Sequence, residues 1–295
     1  MGRRQVVSKD ASFKNLKVAG IHLSGANAAK TSLVVMSCAK NNQYYLGRVY
    51  EKIGSVGSLF SDERLVDILK SEGPFSEVFI DCPLTLPPCA RCVRASCPGA
   101  WECEDIEVAY MLSVQEKVRE LHLHNSDSDK KIRRRPINPQ TQRLWDALQK
   151  LTTSETKSNQ NGHMTYNANM APLVTRAITL QRRLSTPSIN IKLKETTVPI
   201  VLETLCEQLD LEKGIAIEYR KFGVGKNHRE NFFDALVANH IIAEDYELED
   251  AIKVRDSVET FHAFIAGVVG CLHMQNQTTL PPKDFNLESG WVYLP

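Results

Sequence analysis

Glu77-Val78-Phe79-Ile80-Asp81-Cys82-Pro83-Leu84 is the segment on which the reading of the fold turns. Its apolar run shows no alternation, as expected of a strand buried on both faces in the parallel part of a sheet. Asp81 closes the run, and Pro83 ends the ladder by removing a backbone donor. Working upstream, Ser61-Asp62-Glu63 opens a helix, Leu65, Ile68 and Leu69 form its apolar stripe, and Gly73-Pro74 stops it. Before that helix lie three β-rich runs, Lys17 to Ser24, Thr31 to Cys38 and Gln43 to Ile53. Short turns at Gly25-Ala26-Asn27-Ala28 and Lys40-Asn41-Asn42 join them into an antiparallel meander. Downstream, helical patterns fall near 104–121, 140–151 and 170–184. Ser188 to Glu195 alternates as a strand, Thr197 to Leu209 is helical with Pro199 in its first turn, and His228 to Tyr246 and Val258 to Leu272 are apolar helices. Three strands, a helix, a buried strand, an insertion, a strand and further helices predict an α/β fold with a mixed sheet.

Composition sets the outer bounds. The 295 residues are 42% hydrophobic and 24% charged, enough apolar surface for a sizeable core. A net charge of +1 gives no global basic field, so contacts to nucleic acid have to come from local patches. No apolar run approaches the roughly 20 residues of a membrane span. The paired arginines Arg3-Arg4 lack a following apolar stretch, and Val6 breaks the myristoylation pattern. A cytoplasmic protein without membrane contact is the expectation; the oligomeric state stays open. Residues 1–16 are polar and read as a flexible N-terminus. The rest, 17–295, reads as one domain with insertions at 85–104 and 122–187.

Three carboxylates stand in costly surroundings. Asp81 ends the buried strand, Glu195 ends the Ile189 to Lys194 run, and Asp234 sits within Phe232-Phe233-Asp234-Ala235-Leu236. An ionised carboxylate in such places costs several kcal/mol unless it is paired or coordinates a cation. Ordinary alternatives exist for each: Asp81 capping a turn, Asp234 pairing with an arginine, Glu195 in solvent. Taken together they suit a cradle for Mg²⁺ or Mn²⁺, hard ions that prefer oxygen ligands. Two such ions about 4 Å apart activate water and stabilise the leaving oxygen in phosphodiester hydrolysis.

These pieces resemble a widespread family of predicted nucleases with a ribonuclease H-like fold. The likeness rests on Gly20-Ile21-x-Leu23, Ile80-Asp81-x-Pro83-Leu84, Glu195, Phe233-Asp234-Ala235-Leu236-x-Ala238 and the closing Gly290-Trp291-Val292-Tyr293-Leu294-Pro295. It covers most of the chain from about residue 17. The resemblance implies a ribonuclease H-like mixed sheet flanked by helices, with Asp81, Glu195 and Asp234 as metal ligands and catalytic groups. It also implies an acid two residues after Gly20, where this chain has His22. An imidazole there can ligate a metal, favouring Zn²⁺ or Mn²⁺ over Mg²⁺, or serve as a general base. Alternatively it marks a site that has lost hydrolysis and is kept for binding.

Cys89-x2-Cys92-x4-Cys97-x5-Cys103 offers four thiols in a tight loop with Pro88, Pro98 and Gly99. Crowding of this kind without an export signal reads as metal ligation before disulfides. Zn²⁺ is the first choice and a [4Fe–4S] cluster the alternative. Cys38, Cys82, Cys206 and Cys271 lie in apolar strings and read as core.

Lys130, Lys131, Arg133, Arg134 and Arg135 form the densest positive run, suited to phosphates or, more plainly, to a solvated loop. Arg176, Arg182 and Arg183 add charge on a helix, and His228 and Arg229 precede Asp234. No Walker loop or dinucleotide fingerprint is present, which counts against an ATP-binding relative. Two functions remain: a metal-dependent nuclease cleaving DNA or RNA, and a non-catalytic nucleic-acid-binding module with a degenerate acidic site and a structural zinc loop.

Overall fold

β-branched and apolar runs pair into one five-stranded mixed sheet with the order β3-β2-β1-β4-β5. In this computed structural model the described residues are 16–25, 30–39, 43–124, 137–149, 170–283 and 285–295. The basic run 130–135, the polar tract 152–168 and most of the N-terminal segment lie outside them. Strands β1 (Lys17–His22), β2 (Ser32–Cys38) and β3 (Tyr44–Tyr50) form the expected antiparallel meander. Strand β4 (Glu77–Ile80) runs parallel to β1, and β5 (Leu193–Glu195) runs parallel to β4. The chain is thus α/β, with helices on both faces of the sheet.

The helices are α1 (Ser61–Glu72), α2 (Pro88–Arg91), α3 (Ile106–His124), α4 (Ala171–Leu184), α5 (Val198–Gln208), α6 (Lys213–Glu218), α7 (Val224–Ala238), α8 (Leu248–Asp256) and α9 (Val258–Met274). A further helical turn covers 144–149. Alternation along the strands divides the core. Ala19, Ile21, Val78 and Ile80 face α1 and α4, packing with Leu65, Leu69, Leu180 and Leu184. Val18, Met36 and Phe79 face the other way, onto the cluster built by α5, α7 and α9.

Helix α9 is buried all round from Thr260 to Leu272 because it lies directly on the sheet. Two glycines permit that approach. A Cβ on Gly20 would stand 2.0 Å from the Ala263 carbonyl oxygen, and one on Gly270 would stand 2.3 Å from Val18. At Gly20 backbone meets backbone, and at Gly270 the helix backbone meets the Val18 and Phe79 side chains, so neither position has room for a Cβ. Burial on the sheet also explains the apolar sequence of α9: among the described residues no single helix is long and apolar enough to cross a membrane.

Two boundaries differ from the periodic reading. The strand expected from Ser188 begins only at Leu193, because the Thr186 carbonyl accepts from Ile189 and Asn190 and folds that stretch into a turn. The helix expected through Tyr246 stops at Ala238, where His240 takes a positive φ of 57°. Beyond it Ala243 N–H donates to the Tyr44 carbonyl at 2.7 Å, joining this loop to the sheet edge.

Candidate metal centre

Ile21 and Ile80 are paired in register on the parallel strands β1 and β4. One residue further on stand His22 and Asp81, at the carboxyl ends of neighbouring strands, where α/β sheets commonly bind ligands. Alternation turns both toward the face covered by α9, the side that Gly20 and Phe79 also face. The close seating of Ala263 on Gly20 fixes α9 there, and the preceding residue, His262, meets Asp81.

Asp81 is the hub. Its Oδ2 lies 2.5 Å from His262 Nδ1 and 3.6 Å from His22 Nδ1, while Oδ1 accepts from Val198 N–H at 3.0 Å, at the start of α5. The two rings meet edge-on with centroids 5.0 Å apart. Among the described residues, His22, Asp81 and His262 alone bring three potential ligand atoms within 4.8 Å of one another. His22 Nδ1 is shielded from solvent and has no hydrogen-bond partner.

On its far side, His262 Nε2 lies 3.0 Å from the Tyr219 hydroxyl and 3.0 Å from Arg220 Nη2. A guanidinium only donates, so Nε2 carries the lone pair and Nδ1 bears the proton directed at Asp81. Burial, the largest influence, lowers the His262 pKa to about 4 against the pull of Asp81. The imidazole is therefore neutral at pH 7. Burial alone would raise the Asp81 pKa, but the facing His262 and His22 outweigh it and hold the carboxyl well below its usual range. Arg229, itself buried, donates to the Tyr219 carbonyl at 2.6 Å and to the carbonyls of Arg255 and Asp256. It fixes the α6–α7 turn, and with it the Tyr219 hydroxyl, by capping the end of α8.

The other two predicted acids do not join this group. Glu195 is level with Ile80, so it starts toward the opposite face from Asp81. There its Oε2 lies 2.6 Å from Arg143 Nη1 and accepts from Leu84 N–H at 3.0 Å. Arg143 also reaches Asp146 at 3.3 Å, and both ends of the Arg143–Glu195 pair are buried. Burial raises the Glu195 pKa, with Arg143 and the Leu84 N–H opposing. Asp234 is 63% exposed and pairs with Arg255 at 2.5 Å. The expectation that Asp81, Glu195 and Asp234 converge as an oxygen-only cradle is corrected: each has its own partner. The late helix that covers the sheet is α9, not α7, and it supplies a histidine.

His262, Tyr219 and Arg220 were missed in the sequence. A signal for His262 existed, since Val258-Glu259-Thr260-Phe261-His262-Ala263-Phe264-Ile265 surrounds a polar ring with apolar neighbours, just as Phe232 to Leu236 surrounds Asp234. Nothing local marks Tyr219 or Arg220.

The remaining predicted contacts lie apart. Arg176 is committed to Asp62 at 2.5 Å and to the Ser24 carbonyl at 2.7 Å. Arg182 and Arg183 are exposed at the end of α4, and Lys130, Lys131, Arg133, Arg134 and Arg135 lie outside the described residues. Cys82, Cys206 and Cys271 are buried, and Cys38 is partly so. The chain therefore belongs, by fold and site, to α/β proteins with a His–Asp–His group at the carboxyl ends of a mixed sheet. No family model, curated protein or solved structure matches it.

Proposed function

We propose that the chain is a metal-dependent phosphodiester hydrolase of the ribonuclease H-like kind, acting on nucleic acid with one divalent transition metal. The observation that carries this reading is the convergence of His22, Asp81 and His262 within 4.8 Å at the ends of β1 and β4. Two imidazoles and one carboxylate suit Zn²⁺ or Mn²⁺ better than Mg²⁺. His22 Nδ1, buried and without a hydrogen bond, is the lone-pair donor such an ion would satisfy. A two-Mg²⁺ arrangement has less support, because Arg143 holds Glu195 and Arg255 holds Asp234.

His22, Asp81 and His262 would hold the ion, which when bound polarises a phosphoryl oxygen and acidifies water. For His262 to ligate through Nδ1, its proton must sit on Nε2. The Tyr219 oxygen can accept that proton's hydrogen bond, whereas Arg220 cannot and has to turn away. Arg220 is exposed, and once it leaves His262 its guanidinium is well suited to take a phosphate oxygen. Two residues on, Phe222 is fully exposed and offers a face on which a base can stack.

A second reading, binding without cleavage, is favoured by the histidine at position 22 and by the pairing of Glu195 with Arg143. One experiment separates the two. Wild-type protein and Asp81→Asn are incubated with single- and double-stranded DNA and RNA in Mn²⁺, Zn²⁺ or Mg²⁺. Cleavage in Mn²⁺ or Zn²⁺ that disappears in Asp81→Asn supports the hydrolase. Binding by both proteins without cleavage in any metal supports the module.

A further inference from the structure

We infer that Cys89, Cys92, Cys97 and Cys103 bind one structural Zn²⁺ that serves as the missing core of the loop between β4 and α3. From Cys89 to Glu107 no side chain is buried, and Val93 and Trp101 are 97% and 69% exposed. A segment this long without apolar burial has little to offset its ordering entropy. Its backbone is nevertheless folded so as to present thiols. Cys92 terminates α2, Cys103 terminates the 3₁₀ turn Ala100–Glu102, and Gly99, at φ 98°, turns the chain between Cys97 and Cys103.

The four thiols are also neighbours. Cys92, Cys97 and Cys103 all lie within electrostatic reach of Cys89. No three of these sulfurs lie within 4.8 Å of one another. Coordination therefore draws the exposed Cys92 and Cys97 inward onto the half-buried Cys89 and Cys103. Each ligating thiol gives its proton to solvent, and metal-binding energy becomes folding energy of the loop. Zn²⁺ suits this place better than an iron–sulfur cluster because it has no redox chemistry to protect from solvent.

Position gives the loop its use. Cys89 N–H donates to the Pro139 carbonyl at 3.2 Å, in the segment that carries Arg143. Arg91 pairs with Glu107, whose Oε2 accepts from Ser289 Oγ at 2.9 Å near the C-terminus. A rigid loop braces both segments that enclose Glu195.

The test is metal analysis and thiol titration of the full chain purified without chelator, beside Cys92→Ser/Cys97→Ser and Asp81→Asn. The expected result is one colourless zinc per chain in Asp81→Asn, where only the cysteine site is left intact, and one zinc fewer per chain in the cysteine variant than in wild type. Replacement by Co²⁺ should give thiolate-to-metal charge-transfer absorption in wild type and Asp81→Asn alone. Because Cys92 and Cys97 are exposed, the double variant should keep its circular dichroism, and loss of metal is then read against a folded chain. Zinc retained at full stoichiometry in the cysteine variant, a brown iron-containing protein, or four freely titrating thiols with no metal would each overturn the assignment.

Discussion

His262 shows how one side chain acquires its chemistry from its surroundings. Burial depresses its pKa from 6.5 to about 4, so the unfolded chain binds the proton that the native state refuses between those values. Its contribution to stability is thus complete above pH 6.5 and is lost as pH falls toward 4. The loss should be about 3 kcal/mol. Urea unfolding of metal-free protein at several pH values should show this slope, and His262→Gln should flatten it. The same residue scale separates Asp81 from Asp234. Asp81→Asn should lower Mn²⁺ affinity at least tenfold by calorimetry. Asp234→Ala, at an exposed ion pair, should leave that affinity unchanged and cost no more than about 1 kcal/mol. An effect of Asp234→Ala on metal binding would contradict the site described.

At the scale of elements, the seating of α9 on β1 decides where His262 lies. Gly20→Val would drive a side chain into the Ala263 carbonyl and the Gly267 amide nitrogen, 2.0 and 2.2 Å from the added Cβ. Neither backbone atom can give way without moving the helix. The expected cost is about 1–3 kcal/mol or more in urea unfolding, accompanied by weaker metal binding as His262 is displaced. A stable Gly20→Val protein with unchanged metal affinity would show that the contact does not position the site. The elements also set the limits of sequence reading. The meander, α1 and β4 were legible because each is a run of one periodicity bounded by turn residues. The start of β5 was not, since the Thr186 turn depends on backbone bonds rather than on the alternation of Ile189, Ile191 and Leu193. The end of α7 was likewise set by His240 and by the Ala243–Tyr44 bond, which no helical pattern announces.

For the whole molecule, Arg143 is the crossing point. It joins the 137–149 segment to the end of β5 through Glu195 and to its own segment through Asp146. Arg143→Ala would strand two buried carboxylates and should cost about 3–5 kcal/mol, measured as a fall in the urea midpoint. A loss below about 1 kcal/mol would mean that the segment detaches without consequence for the sheet.

The order of strands and helices, the two-sided burial of β4 and the clustering of four cysteines all follow from local patterns of residue type, which the sequence contains in full. Which polar side chains meet does not. Glu195 and Asp81 end adjacent strands, yet pairing Glu195 with Ile80 sends one carboxylate to each face, and a register is a relation between segments. The choice of α9 over α7 as the helix on the sheet rests on glycine contacts across more than two hundred residues of chain, between Gly20 and Gly267. Packing, not composition, therefore placed two histidines beside Asp81 and left the other acids to their arginines.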